Sequence, residues 1–115
     1  MDLSKIRFDQ NGLAPVIAQD AESGEILMMA WANAEALLMT EKEGLATWWS
    51  RSRRELWTKG KTSGSLMRVV DILLDCDGDT LIYLVDPSGP ACHTGRKTCF
   101  FTHNDAGQWR EIIEK

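Results

Sequence analysis

Two apolar runs rich in strand-forming residues, 66–76 and 80–85, are separated only by Asp77-Gly78-Asp79. Such a segment folds back on itself, because Asp and Gly supply the turn and the flanking residues suit a pleated, half-buried surface. A second hairpin is predicted over 15–31. There Val16-Ile17-Ala18 and Ile26-Leu27-Met28-Met29 flank the turn formers Asp20-Ala21-Glu22-Ser23-Gly24. Asn33 fits a helix N-cap, Glu35 favours the positive helix end, and Gly44 fits the stop. Ala34, Leu37, Leu38 and Leu45 form an approximate helical stripe, so this helix should cover one face of a sheet.

Further strands are expected over 46–52, 56–59 and 97–102, with a loop forced by Pro87-Ser88-Gly89-Pro90 and a second helix around 109–114. Met28, Met29, Leu73 and Leu84 are assigned to the core. Strands dominate, so the class is α+β with a mainly antiparallel sheet and one clear covering helix. No repeat or linker-like stretch interrupts the 115 residues, and a single domain over 1–115 is the simplest organisation.

The net charge of −4 argues against bulk attachment to nucleic acid or to anionic lipid. Arg51, Arg53, Arg54, Lys59, Lys61 and Arg68 nevertheless fall in one short stretch, which suits a small phosphorylated ligand. The start of the chain lacks a basic region followed by an apolar run, and no apolar run is long enough to cross a bilayer. A cytoplasmic location is the expectation. In that reducing compartment the three cysteines are either small buried hydrophobes or metal ligands, not disulfides.

Two clusters carry chemistry. In Asp75-Cys76-Asp77-Gly78-Asp79 three carboxylates repel one another unless a cation neutralises them, although acidic residues are also ordinary turn formers. An EF-hand is excluded, since the glycine is fourth from Asp75 rather than sixth and strands flank the segment. Strand alternation would put Asp75 and Asp77 on one side and Cys76 on the other, giving hard oxygen donors for Mg²⁺ and a soft thiolate for zinc. In the second cluster, 89–99, Cys92 and Cys99 are too far apart for a Cys-x-x-Cys knuckle. With Cys76 they make three sulfur donors, the number usual at a catalytic zinc. His93 or His103 as a fourth ligand would instead close a structural site.

Several ordered motifs now point one way. They are Trp49-Ser50-Arg51-Ser52-Arg53, then Leu56-Trp57, Lys59-Gly60 and Thr62-Ser63-Gly64, then Asp75-Cys76-Asp77-Gly78-Asp79, Gly89-Pro90-Ala91-Cys92-His93-Thr94-Gly95 and Cys99-Phe100. Together, over about residues 15–102, the chain resembles the phosphoribosyl-AMP cyclohydrolases of histidine biosynthesis. The resemblance implies a homodimer with zinc on Cys76, Cys92 and Cys99, one of them supplied across the interface, and Mg²⁺ on Asp75, Asp77 and Asp79. It also implies that only the cyclohydrolase part is present here, without the pyrophosphohydrolase domain often fused to it. Two positions depart from the pattern: Ser65 and Met67 stand where Asn and Gln are expected. They bear on substrate contacts near that loop, not on the metal ligands.

The implied reaction adds water to C6 of the purine of 1-(5-phosphoribosyl)-AMP and cleaves N1–C6. Zinc lowers the pKa of bound water from about 15.7 toward about 7, but three thiolates weaken that effect, so a nearby base should help. His93 is the first choice for that base, with an orienting role as the alternative. The substrate's two phosphates would meet Arg51 and Arg53, expected on one strand face, and Lys59 with the Thr62-Ser63 loop. Each of these cations taken alone also fits a solvated surface charge. Trp49 and Trp57 suit either purine stacking or the core. The main rival is a structural zinc module that binds single-stranded nucleic acid through the basic and aromatic stretch, but it leaves the carboxylates unexplained. A zinc deaminase lacks support, because its His-x-Glu and Pro-Cys-x-x-Cys pattern is missing.

Overall fold

The computed structural model describes residues 1–113. After a short 3-10 turn (Leu3–Lys5) come β1 (Ala14–Asp20), β2 (Ile26–Ala32), α1 (Ala34–Glu43), β3 (Thr47–Ser50) and β4 (Glu55–Thr58). Then follow β5 (Met67–Leu74), β6 (Leu81–Pro87), β7 (Thr102–Asp105) and β8 (Gln108–Glu111). The main sheet has the order β2-β1-β6-β5, while β3-β4 and β7-β8 are separate two-stranded ribbons. Both expected hairpins form, β1 with β2 and β5 with β6. The two hairpins join side by side through a parallel pairing of β1 with β6, with Val16 opposite Leu81. The class is α+β and the pairing mainly antiparallel, with this one parallel junction at the centre of the sheet.

Alternation along β1 and β6 puts Ala14, Val16, Ala18, Leu81, Tyr83 and Val85 on the buried face. α1 lies over that face. The Asn33 side chain caps it by accepting from the Ala36 amide at 2.8 Å, and Gly44 ends it in the left-handed conformation at φ 75°. Ala36, Leu37 and Thr40 point inward, whereas Leu38 is exposed. Trp48 fills the centre, its indole N–H donating to the Val16 carbonyl at 3.1 Å and its ring tilted against Tyr83 and Trp57. The Tyr83 hydroxyl donates to the Thr47 carbonyl at 3.0 Å and stands 3.1 Å from the Thr40 hydroxyl. Among the described residues no buried side-chain N or O lacks a hydrogen-bond partner.

Several sequence expectations are corrected. The strand expected over 46–52 stops at Ser50, and residues 51–54 form the tight β3–β4 turn with Arg54 at φ 55°. No strand spans 97–102; that stretch is irregular until β7 begins at Thr102. The helix expected around 109–114 is instead β8. Ala106 and Gly107, both at positive φ, make a two-residue turn whose twist matches a hairpin, so the chain returns as a strand (Glu114 lies outside the described residues). Of the four assigned core residues, Met28 is buried and Leu84 half-buried, but Met29 and Leu73 are exposed at 43% and 41%. Met29 lies on the far face of β2, and Leu73 on β5, an edge strand.

Candidate functional site

A cleft of about 580 Å³ opens between the loop after β4 and the irregular loop after β6, and Lys59, Thr62, Ser63, Cys92 and His93 all line it. Gly60 shapes the first wall. Its φ is +81°, and a Cβ there would lie 2.1 Å from the Ser65 carbonyl carbon, so only glycine lets residues 60–65 fold this tightly. The Gly64 amide closes the loop on the Gly60 carbonyl at 2.7 Å. Gly89, from the opposite wall, would place a Cβ 2.7 Å from the Ser65 hydroxyl. Ser65, one of the two departures from the expected pattern, is therefore where the two walls touch.

The second wall is a loop tied by its own backbone. The Ala91 amide donates to the Lys97 carbonyl and the Cys92 amide to the Arg96 carbonyl. Cys92 is buried, and the Thr94 hydroxyl donates to its sulfur at 3.1 Å. That donation holds the Cys92 thiol below its ordinary range, helped by the Cys99 thiol beside it and the Lys59 ammonium, against burial. Cys99 goes the other way: burial pushes it up, and so does the charge on Cys92. The pair is thus two soft donors side by side, one ionising more easily than an ordinary thiol and one less easily, which a divalent ion would draw into the thiolate form.

Cys76 is elsewhere. It is exposed in the β5–β6 turn. Among the described residues the one set of three potential ligands mutually within 4.8 Å is Asp75, Asp77 and Asp79, so a single chain does not gather the three cysteines. The carboxylates meet as expected, but not by strand alternation, since β5 ends at Leu74. The turn assembles them. One Asp75 oxygen accepts from the amides of Asp79 (3.0 Å) and Thr80 (3.2 Å), and Gly78, at φ +77°, packs against the Lys5 carbonyl. Burial opposes ionisation of Asp75, yet the hydrogen bonds from Thr80 and its neighbours outweigh it and lower its pKa. Asp77 is raised, because its protonated carboxyl hydrogen-bonds to Asp75 and Asp79 and, secondarily, because their like charge opposes its ionisation. Three exposed, crowded oxygens with one carboxyl resisting ionisation are chemically suited to a hard divalent cation.

Arg51 and Arg53 do not share a strand face. Both sit in the β3–β4 turn. Arg51 lies over the Trp31 ring at 5.0 Å in a second cleft of about 850 Å³. Arg53 pairs with Glu55 at 3.5 Å, and with Trp57 it borders both clefts. Trp49 and Trp57 are half-buried, and the tryptophan wholly in the core is Trp48. His103 is exposed on β7, away from the cleft lining. Thr94 and Trp31 escaped the sequence reading. A hydroxyl two residues after a cysteine was the available signal for the first, whereas nothing local marks Trp31 as the partner of Arg51.

A family model described as "Phosphoribosyl-AMP cyclohydrolase" matches residues 28–101, which include both loops and the acidic turn. A protein of Cereibacter sphaeroides named phosphoribosyl-AMP cyclohydrolase is 49% identical over 113 residues, 98% of this chain and 95% of the relative. One of the same name from Micrococcus luteus is 59% identical over 98 residues, 85% of this chain and 78% of its own length. A histidine biosynthesis bifunctional protein of Thermus thermophilus is 58% identical over 100 residues, 87% of this chain but 47% of that longer protein. This chain belongs to the phosphoribosyl-AMP cyclohydrolase family.

Proposed function

We propose that the protein opens the purine ring of 1-(5-phosphoribosyl)-AMP by hydrolysis at N1–C6, as a step of histidine biosynthesis, using zinc and magnesium. Family membership carries the activity. The observation that carries the site is Cys92 lining one cleft with His93, Lys59, Thr62 and Ser63, with the Cys99 thiol beside it. Zinc, held by the thiolates, would supply Lewis-acid activation of water, and Mg²⁺ would take the oxygens of Asp75, Asp77 and Asp79.

The side chains then divide the work. Lys59 and the hydroxyls of Thr62 and Ser63 bind one phosphate, and Arg51 and Arg53 in the adjoining cleft take the other. Trp57, bordering both clefts, offers a face to the purine. His93 accepts the proton of the water that adds to C6. It returns a proton to N1 as the N1–C6 bond breaks, leaving C6 as the carboxamide carbon.

The zinc set needs Cys76, which one chain holds apart from the other two, so the reading requires a homodimer in which each site is shared. Supporting it, Val70, Leu73 and Leu74 are exposed on edge strand β5, which leads directly into Cys76. Such an apolar edge suits a self-complementary contact. No helix of the described residues is long and apolar enough to cross a membrane; the reading places the enzyme in the cytoplasm. The test is a turnover assay. Purified protein with Zn²⁺ and Mg²⁺ is mixed with phosphoribosyl-AMP and ring opening is followed by ultraviolet absorbance. Turnover is expected, and none from zinc-loaded protein overturns the activity. A salt-sensitive shift of labelled single-stranded RNA in place of turnover would favour the binding module.

A further inference from the structure

Cys99 lies in an irregular stretch, so neither a helix nor a strand of its own fixes where its sulfur points. What fixes it is the start of β2. The pairing of β1 with β2 jumps from Ala18–Met28 to Gln19–Ile26, leaving Leu27 as a bulge. Successive carbonyls of a regular strand point to opposite sides, but a bulge re-aims them. Here two consecutive carbonyls serve the same loop. Ile26 accepts from the Thr98 hydroxyl at 2.6 Å, and Leu27 accepts from the Cys99 amide at 2.8 Å.

Thr98 is buried, and its hydroxyl oxygen also accepts from the Phe100 amide at 3.0 Å. One hydroxyl therefore grips the backbone on both sides of Cys99 and ties it to the sheet. Lys97 braces the same point, its ammonium lying 3.2 Å from Asp20 and 3.1 Å from Glu25 at the ends of the β1–β2 turn. Lys97 is half exposed, so its ion pairs are worth less than the buried hydroxyl's short hydrogen bonds.

We propose that Thr98 is a positioning residue for the zinc site, its hydroxyl holding the Cys99 sulfur beside Cys92 so that both thiolates reach one metal ion. The proposal rests on the reading of these cysteines as zinc ligands. Groups that orient metal ligands typically contribute 10- to 100-fold in metal affinity.

The test compares Thr98→Val, which keeps the shape and removes the hydroxyl, with Thr98→Ser, which keeps the hydroxyl. Zinc affinity is measured by competition with a chromophoric chelator, geometry by the thiolate-to-Co²⁺ charge-transfer band, and folding by thermal melting. Thr98→Val should bind zinc about 10- to 100-fold more weakly with a diminished, shifted band, while Thr98→Ser stays close to wild type. Wild-type affinity and spectrum in Thr98→Val overturn the proposal, as does an equal loss in both variants, which would show that keeping the hydroxyl does not preserve the site. Should Thr98→Val not fold, Thr98→Ala removes the hydroxyl without placing a methyl against the Ile26 carbonyl, and is read by the same outcomes. Cys99→Ser separates the two levels. Unchanged zinc affinity in that variant overturns the ligand reading itself, whereas a large loss there with an unchanged Thr98→Val overturns only the role of Thr98.

Discussion

The Thr94 hydroxyl donates to the Cys92 sulfur and lowers that thiol's pKa, while burial raises that of its neighbour Cys99, so the two thiols are chemically unequal. In metal-free Cys76→Ser protein, thiolate absorbance should therefore rise in two separated steps. They belong to the pair, the first below the ordinary thiol range and the second above it. Thr94→Val should move the first step upward. A single step at an ordinary thiol pKa in the parent would contradict this.

Tyr83 is the only tyrosine in the chain, which makes its ionisation directly readable. Burial raises its phenol well above the usual value, so between the two values the folded state keeps a proton that the unfolded state loses. The contribution is full below about pH 10, the unfolded value, and is lost as pH rises toward the folded one. Phenolate absorbance should appear only together with loss of structure by circular dichroism. Tyr83→Phe should cost about 1–2 kcal/mol at neutral pH and lessen the alkaline decline.

Gly60 and Gly64 both adopt positive φ, but only Gly60 is packed against backbone. Gly64→Ala should cost about 1 kcal/mol, the conformational penalty alone. Gly60→Ala must also displace residues 65 and 66, so its loss should reach about 3 kcal/mol or more. Its KM should rise because Thr62 and Ser63 move with the loop. Equal melting temperatures for the two variants would remove the packing argument.

The crowding of Asp77 by Asp75 and Asp79 sets a direction for the proposed cation site. With its pKa raised in the fold, Asp77 destabilises the metal-free protein when ionised, and that cost disappears as pH falls through the folded value. Metal-free Asp77→Asn should melt no lower than wild type at neutral pH, yet bind Mg²⁺ more weakly by calorimetry. Wild-type Mg²⁺ affinity should fall as the solution is acidified into the carboxylate range.

If each zinc site is shared, two inactive variants should repair one another. Cys76→Ser and Cys92→Ser, unfolded and refolded together, give mixed dimers in which one of the two sites is intact. Random pairing then predicts about a quarter of wild-type turnover. No recovery, with mixed dimers verified by mass, would place the whole set within one chain.

Much of this was legible in the sequence because it is local. Alternation and turn residues give both hairpins, Asn33 and Gly44 bound α1, and the acidic turn is written in one pentapeptide. What failed depended on longer range or on finer backbone detail. Residues 97–102 look like a strand because they are apolar and β-branched, but Thr98 and Cys99 spend their polar groups on β2 rather than on a ladder. Arg51 and Arg53 were placed on a strand because nothing in 46–52 signals the left-handed turn completed at Arg54. The parallel junction is likewise invisible, since no local pattern tells β1 that its neighbour will be β6. At the site, the family resemblance groups Cys92 with Cys99, but their inequality depends on which hydroxyl faces which sulfur and on how each thiol is buried.

That parallel junction has a consequence for how the protein comes to exist. Val16 and Leu81 are partners although 65 positions (81 − 16) separate them along the chain. Each hairpin can close quickly on local contacts, but joining them requires a long loop to close first, which slows folding. The bulge that receives Thr98 belongs to the first hairpin, whereas Thr98 itself follows the second. On a ribosome the first hairpin must therefore wait, its β1 edge unpaired, until β6 has emerged. The loop that carries Cys92 and Cys99, delivered later still, docks onto a finished sheet, so the proposed metal site can form only after the sheet that supports it.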